Sequence, residues 1–128
     1  MKKIISMLLS AFMLTGCAGA GKQTKTYRQI SMDEAVIIME QETGYIILDV
    51  RRPDEYAAGH IPNAINVANE SIGTSEIAEL PDKNQLILVY CRSGRRSKEA
   101  AEKLVKLGYT NIVEFGGIID WKGETVAS

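Results

Sequence analysis

The sequence is poor in the residues that build metal centres, disulfide frameworks and nucleic-acid surfaces. It has one histidine and two cysteines in 128 residues, and no Cys, His and carboxylate grouping at ligand spacing, so no metal site is expected. Basic residues are not in excess: 15 Lys and Arg stand against 16 Asp and Glu, a net charge of −1, which gives no support to nucleic-acid binding. No apolar run is long enough to span a bilayer, which takes roughly 20 residues. Internal repeats are lacking too. What is present, 45% hydrophobic and 24% charged residues, suits a single globular domain with a moderate core.

One uncharged apolar stretch does stand out, from Ile4 to Leu14, preceded by Lys2 and Lys3 and followed by small residues. That is the layout of a secretory signal. Its end, Leu14-Thr15-Gly16-Cys17, resembles the bacterial lipobox, in which the Cys is lipidated and becomes the first residue of the mature protein. The resemblance implies a signal over residues 1–16, a lipid on Cys17 and a polar tether over 17–26, "AGAGKQTKT" being its flexible part. The domain would then occupy 27–128, held at the outer side of the cytoplasmic membrane, or in an outer membrane where the organism has one. Loss of Lys2 and Lys3 takes the basic count from 15 to 13 against 16 acidic residues, a net charge of −3. Cys91 becomes the only free thiol. Exported domains carry paired cysteines or none, so a single thiol asks for a reason.

The reason lies in "VYCRSGRRSKEA", residues 89–100. The preceding "LILVY" is uncharged and rich in β-branched and aromatic residues, as a buried strand is. After the arginines, Ala100, Ala101, Leu104, Val105 and Gly108 recur at helical spacing, with Glu99/Lys103 and Glu102/Lys106 as i,i+4 pairs on the other face. Cys91 therefore sits in a strand-to-helix turn, where the first amides of the helix lack partners and favour negative charge. With Arg92, Arg95 and Arg96 beside it, the thiol is expected to ionise readily and act as a nucleophile rather than as a buried structural cysteine. Gly94 permits a backbone angle or a close anion approach that a side chain would block.

Elsewhere, Ser31 and Glu34 form a capping box that starts a helix, with Gly44 as its stop. Further β-rich runs lie at 45–51, 64–67 and 111–115, and "RPDEYAAG" and "TSEIAEL" read as helical segments between them. Alternation of strands and helices predicts an α/β domain, a largely parallel five-stranded sheet with helices on both faces. Ligands bind such sheets beyond the carboxyl ends of the strands, where Arg51 and Cys91 both fall.

These residues resemble the rhodanese-like sulfurtransferases from about Tyr27 to Val126. Three stretches carry the resemblance in order: "LDVRRPDEYAAGHIPNAINV", "VYCRSGRRS" and "LGYTNIVEFGGIIDW". Asn63 departs from the Gly most frequent at its place, and Asn tolerates the left-handed backbone the turn needs. The resemblance implies that Cys91 takes a sulfane sulfur from an anionic donor such as thiosulfate, holds it as a persulfide, and passes it to cyanide or a thiol. Neither a cofactor nor a metal is implied. Backbone amides from Cys91 through Arg92, Ser93, Gly94 and Arg95 to Arg96 would point at the outer sulfur. Arg92 and Arg96 rank as the substrate contacts. The resemblance implies that Asp49 and Arg51 brace the loop rather than contact substrate; His60 is expected to anchor a turn rather than transfer protons, and Tyr56 and Trp121 to pack, Trp121 towards the rim of the site.

Two rivals stand beside this reading. Some phosphatases share the fold and the thiolate, but their signature is Cys, five residues, Arg; here that place holds Ser97, and Arg96 falls one step short. A binding module that had lost the chemistry would have no need of Cys91 and its loop. The natural donor and acceptor stay open, with polysulfide, persulfidated thiols and a redox protein partner among them.

Overall fold

The structure, a computed structural model, describes residues 26–128. The expected signal segment, Cys17 and the tether up to residue 25 lie outside the described residues. From Thr26 onward the elements run β1 (Arg28–Gln29), α1 (Met32–Gln41), β2 (Ile46–Asp49), α2 (Pro53–Ala58), β3 (Ile65–Asn66), β4 (Ile87–Cys91), α3 (Arg95–Lys106) and β5 (Ile112–Gly117). Short 3-10 turns lie at Asn69–Ser71 and Ile118–Asp120.

All strand pairs are parallel, in the order β1-β5-β4-β2-β3, the five-stranded α/β sheet that the alternating pattern predicts. The two-residue β1, which has no β-rich signature of its own, exists because Arg28 and Gln29 complete the edge of β5. Successive strand residues point to opposite faces and divide the core in two. Leu48, Val89, Cys91 and Ile112 face Ala100, Ala101 and Leu104 of α3. Ile47, Leu88, Tyr90 and Val113 face the other way, towards Ala35 of α1.

α1 starts as its capping box requires: the Glu34 amide donates to Ser31 Oγ at 3.1 Å, and the Ser31 amide to Glu34 Oε1 at 2.9 Å. Its end differs from expectation. The helix stops at Gln41, and Gly44, with φ of 75°, turns the chain into β2 three residues later. The segment 74–80 is not helical either. Only Ile77 and Leu80 are buried there, too few apolar residues for a helical face, and Pro81 disfavours helical backbone at Leu80. Instead the Leu80 amide closes a single turn on the Ile77 carbonyl at 3.0 Å, and Tyr109 donates its hydroxyl to the Leu80 carbonyl at 2.5 Å.

Candidate active site

Because the sheet is parallel, Asp49 at the end of β2 and Cys91 at the end of β4 reach the same edge of it. β5 carries one extra residue opposite this point, so that Val89 pairs with Glu114 but Cys91 pairs with Gly117. The bulge brings Gly116 and Gly117 under the loop that follows Cys91. A Cβ on Gly117 would overlap the Arg92 carbonyl, so only glycine lets the loop sit this close. The Ile119 amide then ties the same carbonyl down at 3.2 Å.

The loop closes back on its own cysteine. Gly94 takes the left-handed φ of 116°, the first of the two roles open to it from the sequence, caps α3, and donates its amide to Cys91 Sγ at 2.9 Å. Cys91 itself is 1% exposed. Burial alone is also what a structural cysteine would show; the amide aimed at the sulfur at the start of a twelve-residue helix is what an anion-holding thiol needs.

The three arginines are placed differently from one another. Arg92 and Ser93 are exposed, and the Arg92 guanidinium has no ion pair among the described residues. Arg95 is exposed and pairs with Glu99 one turn along α3, at 3.1 Å. Arg96 is paired across the fold: Glu55 of α2 holds it with two hydrogen bonds of 2.7 and 3.2 Å. Of the two arginines ranked as substrate contacts, Arg96 has a carboxylate partner and Arg92 has none among the described residues. Hydrogen bonding from Arg96 outweighs burial and, with the Arg52 amide and the Arg96 and Arg51 charges, brings the Glu55 carboxyl down to about 2. Arg96 rises correspondingly, through its bond to Glu55 and the nearby charges of Glu55, Cys91 and Glu70.

Asp49 and Arg51 form a buried pair, 2.7 Å apart at closest approach. They brace a different segment from the one expected. Arg51 also donates to the Gly59 carbonyl at 2.7 Å, and Asp49 accepts the Tyr90 hydroxyl at 2.6 Å, while that hydroxyl accepts the Ile61 amide at 3.1 Å. The pair thus holds the 59–61 turn against β4, not the loop after Cys91. Burial, then the bond to Asp49 and its charge, push the Tyr90 phenol upward, so it stays a donor. Burial acts to lower Arg51, but its bond to Asp49 and that carboxylate's charge raise it overall.

His60 anchors the same turn: Nδ1 donates to the Tyr56 carbonyl at 2.9 Å, and the ring stacks on Tyr56 with centroids 3.8 Å apart. Asn63 adopts φ of 74°, the left-handed conformation expected there. Trp121 packs beside the α1 side of the core and donates its indole N–H to the Glu124 carbonyl at 2.9 Å.

Three residues around the thiol escaped the sequence reading. Glu55 is the partner of Arg96. Ser97 Oγ lies 3.5 Å from Cys91 Sγ, and Glu114 accepts the Ser97 hydroxyl at 2.5 Å. Glu114 had left a trace, a lone acid inside the otherwise apolar "NIVEF".

Residues 31–124 match the family model described as rhodanese-like domain. The chain is 38% identical over 73 residues to the thiosulfate sulfurtransferase PspE of Escherichia coli, covering 57% of this chain and 70% of that protein. It is 35% identical over 97 residues to the thiosulfate sulfurtransferase GlpE of Coxiella burnetii, covering 75% of this chain and 88% of that one. Among solved structures, an E. coli rhodanese with anions superposes with a TM-score of 0.59 at 36% identity, covering 66% of this chain and 99% of that one.

Proposed function

Because this chain belongs to the rhodanese-like domain family, we propose that it is a thiosulfate sulfurtransferase in which Cys91 carries the sulfur. The observation that carries the reading is the Gly94 amide on Cys91 Sγ, at the N-terminus of α3. Amide and helix end favour an anion at this sulfur without a general base. The Cys91 thiolate attacks the outer, sulfane sulfur of thiosulfate; the S–S bond of the donor breaks and sulfite leaves with its electron pair. The persulfide so formed bears its charge on the outer sulfur, within reach of the loop amides. Attack by cyanide or a thiolate on that outer sulfur returns the electron pair to Cys91.

Arg92 is the cation available to a dianionic donor, since Arg96 and Arg95 already have carboxylate partners. The loop argues against a phosphate: the sixth residue after Cys91 is Ser97, whose side chain turns inward to Glu114 rather than offering a guanidinium. Polysulfide, persulfidated thiols and a redox protein belong to the same chemistry as donors or acceptors. The Leu14-Thr15-Gly16-Cys17 stretch supports a lipid on Cys17 that places the domain at the cell envelope.

Thiosulfate:cyanide turnover tests the activity. The parent should form thiocyanate and Cys91→Ala should form none, with negligible turnover of an aryl phosphate by either. Thiocyanate formation undiminished in Cys91→Ala, or aryl-phosphate turnover matching sulfur transfer, would contradict the reading.

A further inference from the structure

Glu114 is 2% exposed, and no ion pair holds it among the described residues. It is satisfied by neutral donors alone: the Ser97 hydroxyl at 2.5 Å, the Gly116 amide at 2.9 Å, both on Oε2, and the Gln29 side-chain amide at 3.3 Å on Oε1. A buried carboxylate without a cation is costly. Its position is informative. Ser97 Oγ has one proton and three acceptors within reach, the Glu114 carboxylate, the Gly94 carbonyl at 3.0 Å and the Gly116 carbonyl at 3.4 Å. The carboxylate is the nearest and the only charged one, so it takes the proton. What Ser97 then turns to Cys91 Sγ, at 3.5 Å, is a lone pair, and the contact is made by the thiol donating its S–H.

We propose that Glu114 is a positioning residue for Cys91, acting through the Ser97 hydroxyl to favour the thiol over the thiolate in the resting site, the proton passing to solvent before the thiolate attacks the donor. It deepens, and rests on, the reading of Cys91 as the sulfur-carrying thiol. Two opposed influences then meet at one sulfur. The Gly94 amide and the start of α3 favour the anion, and Arg96 lies close enough to interact with its charge. The Ser97 lone pair and the Glu114 charge behind it oppose the anion. In the persulfide the charge sits one bond further out, away from Ser97, so the opposition is relieved on loading. The other charged or titratable groups facing this region are Arg92 and Arg95 on the loop side, Glu55 and Glu70 near Arg96, and Tyr27 near Glu114, with Glu102 also acting on Tyr27.

The test is the alkylation rate of Cys91 against pH, measured without a sulfur donor in the parent, Glu114→Gln, Ser97→Ala and the double variant. Gln keeps the size and, with its oxygen at the place of Oε2, still accepts from the Gly116 amide and the Ser97 hydroxyl, but it carries no charge to hold the Ser97 proton or to oppose an anion at sulfur. In Glu114→Gln the neutral-pH rate should rise about tenfold while the high-pH plateau stays unchanged. The same change in the Ser97→Ala background should have a clearly smaller effect, since only the through-space charge is then removed. An unchanged neutral-pH rate, a plateau that rises with it as mere loosening would produce, or the same rise without Ser97 would each overturn the proposal. Should Glu114→Gln not fold, Ser97→Ala alone should still raise the neutral-pH rate, and an unaltered profile there overturns it. Sulfur uptake by the parent, weighed separately, decides the underlying reading independently of these profiles.

Discussion

Arg96 and Glu55 join the loop after Cys91 to α2 through two hydrogen bonds, the shorter 2.7 Å, although 41 residues separate them in the chain. The pair is half-buried, with side chains 20% and 25% exposed, which lifts it above the usual surface ion pair. It fixes the start of α3, and with it the Gly94 amide on the thiol, against a second element.

Arg92 and Arg96 should therefore fail differently when changed. Arg92→Ala should raise KM for thiosulfate by up to about tenfold, the span of an exposed cation, with no change in unfolding midpoint. Arg96→Ala leaves a half-buried carboxylate without its partner and should lower stability by about 1 to 2 kcal/mol. Denaturant unfolding beside steady-state kinetics separates the two, and equal loss of stability in both variants would contradict the assignment.

The same pair predicts an acid dependence. Glu55 has its carboxyl lowered from 4.5 to about 2 in the folded chain, so its contribution is complete above 4.5, where both folded and unfolded forms are ionised. As pH falls the unfolded form protonates first, and the contribution is lost between about 4.5 and about 2. Discounted for its partial exposure, it amounts to about 1 to 2 kcal/mol. The unfolding midpoint of the parent should fall more steeply over that window than that of Glu55→Gln. Parallel curves would contradict the prediction.

Gly117 predicts a steric effect on activity. Alanine there meets the Arg92 carbonyl and must push the loop off β5, at a cost of about 1 to 3 kcal/mol. Gly117→Ala should lose sulfur transfer while the far-ultraviolet circular dichroism stays that of the parent. Full activity in a folded Gly117→Ala would show that the loop is not seated on this glycine.

Tyr90 predicts the opposite separation. Its hydroxyl links Asp49 to the Ile61 amide in the buried interior, so Tyr90→Phe strands two polar groups and should cost about 1 to 3 kcal/mol. The loop after Cys91 is untouched by this change. Sulfur uptake per folded molecule should equal that of the parent, and its loss would place Tyr90 among the groups that act on the thiol.

The lipid anchor has its own test. Cys17→Ser should move the protein from the membrane fraction to the soluble one, and unchanged recovery with membranes would contradict lipidation at Cys17.

Local signals were readable because neighbours in sequence make them. The Ser31 and Glu34 capping box, the left-handed positions at Gly94 and Asn63, and the strand that ends at Cys91 all depend on residues within a few places of one another. The segment 74–80 misled because Ile77 and Leu80 have helical spacing, yet it is the core they drop into that decides their backbone. The site was legible as far as the loop itself. Which arginine is free was not, because Glu55 and Arg96 meet only when α2 and α3 have been laid across the sheet. Likewise Glu114 reaches Ser97 only through the parallel pairing of β4 with β5 and the bulge at Gly116.

The central claim is that sulfur is carried on Cys91, and the mass of the intact protein after brief exposure to thiosulfate tests it most directly. The parent should gain the mass of one sulfur atom, removable by cyanide with release of thiocyanate, and Cys91→Ser should gain nothing. An unchanged mass in the parent, or equal sulfur uptake by Cys91→Ser, would contradict the account.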